Sequence, residues 1–172
     1  GIAAAGYIPD ARGQVNDIRF FSQSSKLVYD EPVDVETVAK QTADQFQHYT
    51  QYAGVRPMGV ALIIGGVDNN GNSLFLADPS GTYVAYNAVA IGANSDIVTE
   101  FLKKEYKPDI TIDEGIVLAI AAIYLASEIK EGTKHIKISQ IRSDTKQFEI
   151  ITDEHLTKLA QSTAEKYPTE HK

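Results

Sequence analysis

The sequence contains no cysteine. Disulfides and thiolate metal sites are therefore excluded, and a reducing compartment suits the chain. Long apolar runs are also missing. The longest, Ile116 to Ala126, falls short of the roughly 18 residues a membrane span needs and suits a buried helix. Basic charge is scarce: 16 Lys and Arg stand against 23 Asp and Glu, a net charge of −7. That balance argues against nucleic acid, which is held through its phosphates by clustered Lys and Arg. No Gly-x4-Gly-Lys-Ser/Thr phosphate loop is present. His48, His135, His155 and His171 have no metal-ligand spacing, so no metal or other cofactor is expected. Asp68-Asn69-Asn70-Gly71-Asn72 hints at a calcium loop, but the twelfth position is Pro79 and the glycine is misplaced, which leaves a hairpin turn. Ser80 has no paired His nearby in sequence to make it a nucleophile. The opening Gly1-Ile2-Ala3-Ala4-Ala5-Gly6 lacks a Met, a basic n-region and a cleavage pattern. It suits the end of a buried strand running into a turn, so the expectation is a fragment whose first part is missing, with a processed N-terminus as the alternative.

What is present is 172 residues, 43% of them hydrophobic, enough for one domain with a substantial core. Pro9 and Asp10 suit the first turn of a helix, and Ala11, Val15, Ile18 and Phe21 follow helical spacing to about Lys26. A second helix begins near Pro32 and Asp34. Its apolar stripe is Val35, Val38, Ala39, Thr42, Phe46 and Tyr49, with Glu36, Lys40 and Asp44 opposite. The acidic run Asp30, Glu31, Asp34 and Glu36 is a solvated helix start. Gly59 to Gly66 is a continuous apolar run, as in a strand buried on both faces. Asn70-Gly71 predicts a hairpin, with Leu74 to Ala77 returning. Asp78-Pro79-Ser80-Gly81 predicts a tight turn, after which Tyr83 to Tyr86 and Ala88 to Ile91 complete a meander. Asn94 or Ser95 caps a third helix. Thr111-Ile112-Asp113-Glu114 is a capping box for a fourth, which is apolar at Ile116, Val117, Ala119, Ile120, Ile123 and Tyr124 and should lie deep. Ile136 to Ile141 and Gln147 to Ile151 alternate like strands, Thr152 and Asp153 cap a last helix through Leu156 and Leu159, and the tail from Tyr167 to Lys172 is polar. Helices grouped between runs of hairpin-linked strands indicate a layered α/β (α+β) sandwich, not βαβ units.

Four ordered motifs carry a resemblance. Gln47-His48-Tyr49-Thr50-Gln51-Tyr52-Ala53-Gly54-Val55-Arg56-Pro57-Met58-Gly59 resembles the signature of proteasome α-type subunits, especially the archaeal kind. Gly6-Tyr7-Ile8-Pro9-Asp10-Ala11-Arg12 looks like that family's Gly-Leu-x-x-Asp-Ala-Arg helix start. Asp78-Pro79-Ser80-Gly81 matches its Asp-Pro-Ser-Gly turn, and Ala90-Ile91-Gly92-Ala93-Asn94 resembles its Ala-Ile-Gly-x-Asn strand end. The resemblance implies a four-layer αββα sandwich of the N-terminal-nucleophile hydrolase type, here without its N-terminal gating tail, first helix and first strands. It implies a non-catalytic subunit of the 20S proteasome core in the cytoplasm. The implied partners are other α subunits in a heptameric ring, proteasome β subunits, the C-terminal tails of regulatory ATPases or other activators, and unfolded protein substrates.

The same resemblance assigns two sites. The loop Tyr52, Ala53, Gly54 and Val55 would line the entrance at the centre of the ring, with Ala53 standing where the family usually has a second Gly. By residue types alone it is an ordinary helix-to-strand connection that Arg56-Pro57 terminates. Gly6 and Tyr7 would line a pocket between neighbouring subunits that takes an activator's hydrophobic-Tyr-x tail, with Tyr7 in place of the usual Leu. Backbone N–H groups at a helix start suit that tail's carboxylate, while the Lys that pairs with it lies upstream of Gly1 in the family. By residue types alone this is a plain helix start.

The alternative is a catalytic β-type threonine peptidase subunit of the same fold. That chemistry needs an N-terminal Thr whose α-amine acts as base, and residue 1 is Gly. The active family's Asp-x-x-Ser-Gly motif is also absent from Tyr124-Leu125-Ala126-Ser127-Glu128-Ile129. A sandwich without its first strands has unpaired sheet edges and an exposed face. The isolated 172-residue chain is therefore expected not to be a stable monomer. A monomer by ultracentrifugation that melts cooperatively would contradict this.

Overall fold

The computed structural model describes residues 1–127 and 133–167. Glu128, Ile129, His171 and the polar tail after Tyr167 lie outside the described residues. The described chain runs β1 (Ile2–Gly6), α1 (Ile8–Tyr29), α2 (Val35–Gln51), β2 (Val60–Asp68), β3 (Gly71–Ala77), β4 (Tyr83–Ala85), α3 (Ser95–Glu105), α4 (Ile112–Ala126), β5 (Ser139–Ile141), β6 (Phe148–Ile150) and α5 (Asp153–Lys166). This mixed content agrees with the α/β expectation. Two compact units emerge: Gly1–Ile91 with Arg142–Lys146, and Gly92–Ile141 with the residues from Gln147 on.

In the first unit the strands form one antiparallel sheet in the order β1-β2-β3-β4, with α1 and α2 packed on one face. The helices bring Ala11, Ile18, Val38, Ala39 and Phe46 against Val60, Leu62, Ile64 and Phe75. Burying each of the Val, Leu, Ile and Phe side chains contributes about 1.5–3 kcal/mol. The register sets Leu62 beside Ala77 and Ile64 beside Phe75, so the two central strands bury these four side chains on one face. Ala61 and Ile63, on the alternate face, are only half-buried. The expected burial of Gly59 to Gly66 on both faces is thus corrected, because successive side chains point to opposite faces and the two helices cover only one. β1 is corrected too: it is an edge strand with Ala3, Ala4 and Gly6 exposed.

Smaller departures have local causes. α1 runs on to Tyr29, where Asp30 in the left-handed region (φ 58°) ends it. Its buried stripe is Ala11, Gln14 and Ile18, with Val15 only half-buried. Asp34 caps α2 through the Thr37 N–H at 2.7 Å. The hairpin turn is Asn69-Asn70, and Gly71 carries the positive φ of 112° while pairing with Asp68. Ala88 to Ile91 is not a strand, since among the described residues no neighbouring backbone takes up its ladder bonds. The Asp78-Pro79-Ser80-Gly81 turn closes through a Gly81 N–H to Asp78 carbonyl bond of 3.0 Å.

In the second unit α4 lies against α3 and α5. Ile116, Ile120 and Tyr124 pack with Ile136 and Leu156. The capping box forms as expected, with the Thr111 N–H donating to Glu114 at 2.8 Å and the Glu114 N–H returning to the Thr111 hydroxyl at 3.3 Å. Leu118 is buried, whereas Ile123, expected inside, is exposed. Asn94 holds the N-cap position of α3, but its side chain donates to the Ala126 carbonyl at 2.7 Å and caps nothing.

Gly81 supplies a direct test of the first unit. Its φ is +87°, and a Cβ there would lie 2.5 Å from the Gln47 Cβ and 2.7 Å from the Gln47 Cα. Gly81→Ala is expected to destabilise by about 1–3 kcal/mol, through strain and displacement of α2. A denaturant midpoint unchanged in the full-length protein would contradict that packing.

Candidate functional site

The start of α1 is set by two glycines. β1 pairs with β2 as far as Gly6 beside Val60, and Gly6 takes φ +125°. A Cβ at Gly6 would lie 2.3 Å from the Gly59 carbonyl oxygen, and one at Gly59 would lie 3.2 Å from the Tyr7 Cβ. The bare backbones therefore meet, and the Tyr7 N–H donates to the Gly59 carbonyl at 2.7 Å. Tyr7 becomes the extended N-cap of α1, and Pro9 pre-sets the first turn. The rings and side chains of Tyr7 and Ile8 face outward, each about half exposed.

Asp10, one turn in, accepts from three donors. Arg56 Nη1 lies 2.7 Å from its Oδ2, Arg56 Nη2 lies 2.9 Å from Oδ1, and the Gly59 N–H lies 2.9 Å from Oδ2. The Arg56 guanidinium also sits 5.2 Å from the centroid of the Tyr7 ring, a cation–π contact. These bonds largely take up the donors expected at this helix start. The Tyr7 N–H goes to Gly59, Pro9 has none, and the Asp10 N–H goes to the Tyr7 carbonyl. A visiting carboxylate would also meet the charge of Asp10. What the surface offers a partner is the apolar and aromatic face of Tyr7 and Ile8.

The second segment follows α2. Tyr52 is its C-cap, and the turn at Ala53 and Gly54 uses φ +84° at Gly54, around which there is open space. Ala53 is not among the positive-φ residues, so a second Gly is not required there. Tyr52 and Val55 are 67% and 46% exposed, an apolar pair presented at the tip. Tyr52 stacks on His48, with ring centroids 6.0 Å apart. An open groove of about 570 Å³ runs from this pair along the exposed face of α2 between Gln41 and Tyr49.

Gly6, Tyr7 and the far end of the 52–55 loop are thus joined through Asp10, Arg56 and Gly59. The other candidates stay apart. Ser80 bonds to Asp78 and shares a 2.8 Å contact with Thr82, which suits a turn. His155 lies 3.5 Å from Asp113, and among the described residues no three His, Cys, Asp or Glu side chains gather as a metal site. No described helix is long and apolar enough to cross a membrane.

Residues 1–141 match the proteasome subunit family. The chain belongs to the proteasome family. It is 39% identical to a proteasome subunit alpha of Methanosarcina barkeri, with all of this chain and 70% of that protein covered. It is 41% identical to proteasome subunit alpha 1 of Haloferax volcanii, over 90% of this chain and 62% of that one. Against a proteasome subunit alpha of Archaeoglobus fulgidus the figures are 40%, 90% and 62%. The chain therefore spans about three fifths to seven tenths of the length of these relatives.

Two residues of this proteasome-family chain escaped the sequence reading. Arg56 passed for a helix terminator; its partner lies 46 residues away, beyond any local pattern. Asp68 passed for a turn residue, yet it also accepts the Val35 N–H at 2.8 Å and so secures the start of α2 against β2.

Asp10 has a measurable signature. The hydrogen bonds from Arg56, then that from Gly59, lower its carboxyl from 3.8 to about 2. A lowered carboxyl contributes stability that is fully present above 3.8 and lost as the pH falls through about 2. Asp10→Asn cannot make that contribution. The unsubstituted protein is expected to unfold at a higher denaturant midpoint than Asp10→Asn above pH 3.8, with the gap closing towards pH 2. A gap that is constant over this window would show that Asp10 is not ion-paired.

Proposed function

We propose that the chain is the larger, C-terminal part of a non-catalytic α-type subunit of the 20S proteasome core, working in the cytoplasm. The observation that carries this is the similarity to proteins named proteasome subunit alpha, which extends through both candidate segments and, in one relative, over the whole chain. The family match, residues 1–141, runs through the first unit and into the second, which supports reading the chain as one domain. The pair of helices over a sheet in the first unit fits one half of a four-layer αββα sandwich.

In this reading Tyr52, Ala53, Gly54 and Val55 repeat around a heptameric ring and constrict the substrate entrance. The exposed Tyr52 and Val55 support it, since an apolar rim of that kind passes extended chain and excludes folded domains. Gly6 and Tyr7 dock the C-terminal tail of a regulatory ATPase or another activator. The outward-facing Tyr7 and Ile8 suit the tail's apolar residues, while a cation for its carboxylate has to come from elsewhere. Other α subunits and the β subunits complete the particle, and unfolded proteins are its substrates. The catalytic β-type alternative gains no support, because the relatives named here are all α subunits.

Electron microscopy of the purified full-length protein tests the reading. Closed rings are expected. Monomeric particles, or peptide hydrolysis by the protein without any partner, would overturn it.

A further inference from the structure

Three asparagines cluster at the tip of the β2–β3 hairpin, and their side chains are held differently. The Asn69 side-chain oxygen accepts from Lys146 Nζ at 3.0 Å, and that of Asn72 accepts from the Ser143 hydroxyl at 3.0 Å. Both donors lie in Arg142–Lys146, which belongs to the same compact unit. The Asn70 side chain is exposed, and among the described residues it has no partner. Asn70 is also the one asparagine of the 172 residues that glycine follows.

A side-chain amide is electrophilic at Cγ, and the nearest nucleophile is the backbone nitrogen of the next residue. For Asn69 that nitrogen belongs to Asn70, whose N–H is engaged by Asp68 Oδ1 at 2.7 Å. For Asn70 it belongs to Gly71. No Cβ shields this nitrogen, and nothing lies within 4 Å of where a Cβ would stand. Gly71 pairs with Asp68 as the last rung of its ladder, so the tip can open without breaking the rungs behind it, at small cost.

We propose that Asn70 is a site of spontaneous deamidation, through attack of the Gly71 backbone nitrogen on Asn70 Cγ. The bond from Gly71 N to Cγ forms and the bond from Cγ to Nδ2 breaks. Ammonia leaves, carrying the proton that Gly71 N gives up. Water then opens the cyclic imide. Cleavage between Cγ and the ring nitrogen gives aspartate at position 70. Cleavage between the Asn70 main-chain carbonyl carbon and that nitrogen gives isoaspartate, with the chain routed through the side-chain carbons. Either product sets a second carboxylate beside Asp68, and isoaspartate also inserts a methylene into the main chain of the turn. Asp68 accepts the Val35 N–H at 2.8 Å as well, so the modified turn adjoins the residue that secures the start of α2.

The test is to incubate the full-length protein in mildly alkaline buffer, folded and in urea, and to follow its peptides by mass spectrometry. Electron-transfer fragmentation tells isoaspartyl from aspartyl products. Folded Asn70 is expected to convert at a rate within about tenfold of its rate in urea, because the tip opens at small cost, and to give both products. Asn69 and Asn72 should stay intact in the folded protein over the same period. Gly71→Ala, compared with the parent chain in urea so that its folding does not matter, should slow conversion by about tenfold or more, because a methyl group then shields the attacking nitrogen. A folded Asn70 that reacts more slowly than stated overturns the site. Aspartate as the sole product, or no slowing in Gly71→Ala, overturns attack by the Gly71 nitrogen. Conversion of Asn69 or Asn72 as fast as Asn70 overturns the protection assigned to their tethers.

Discussion

β1 and β2 can pair as far as Gly6 only because two backbones meet there without side chains. That approach lets the Tyr7 N–H reach the Gly59 carbonyl, which fixes where α1 begins. It also brings the first turn of α1 over the strand start, so that Asp10 receives the Gly59 N–H. Arg56 completes the cluster from the chain that leads into β2. The arrangement of both candidate segments depends on this one contact.

The Asp10–Arg56 pair matters more for geometry than for stability. Arg56 is 60% exposed, so solvent screens much of its attraction to Asp10. Stability comes instead from the helix-over-sheet core, where Ala39, Phe46, Leu62 and Ala77 are fully buried. The bidentate fork fixes two planes relative to each other, and so defines where the 52–55 loop leaves the body of the first unit. A core for stability and a polar clamp for position leave Tyr52, Val55 and Tyr7 exposed at the surface.

Much of this was legible because the signals are local. Pro9 with Asp10, Asp34, the Thr111–Glu114 box and the Asp78–Gly81 turn each work within four residues. The mixed helix and strand content followed from them. The misses involve competition between distant groups. Asn94 looked like a cap until the Ala126 carbonyl claimed its amide. Ala88 to Ile91 has strand-like residues and no partner strand among the described residues. Gln14 lies in the buried stripe with its Oε1 unbonded, which apolar periodicity cannot anticipate. The two candidate segments were found by resemblance; by residue types alone they were a helix end and a helix start.

The sequence by itself determined which stretches become helices and strands, where most of the helices are capped, and which family the chain belongs to. Propensity, capping and motif spacing all act over a few residues, so they can be read along the chain. Only the tertiary structure decided that β2 buries one face, that Asp68 secures the start of α2, and that Arg56 reaches across to Asp10 and Tyr7. Those outcomes depend on which backbones lie side by side, and that is set by pairing and packing between residues tens of positions apart.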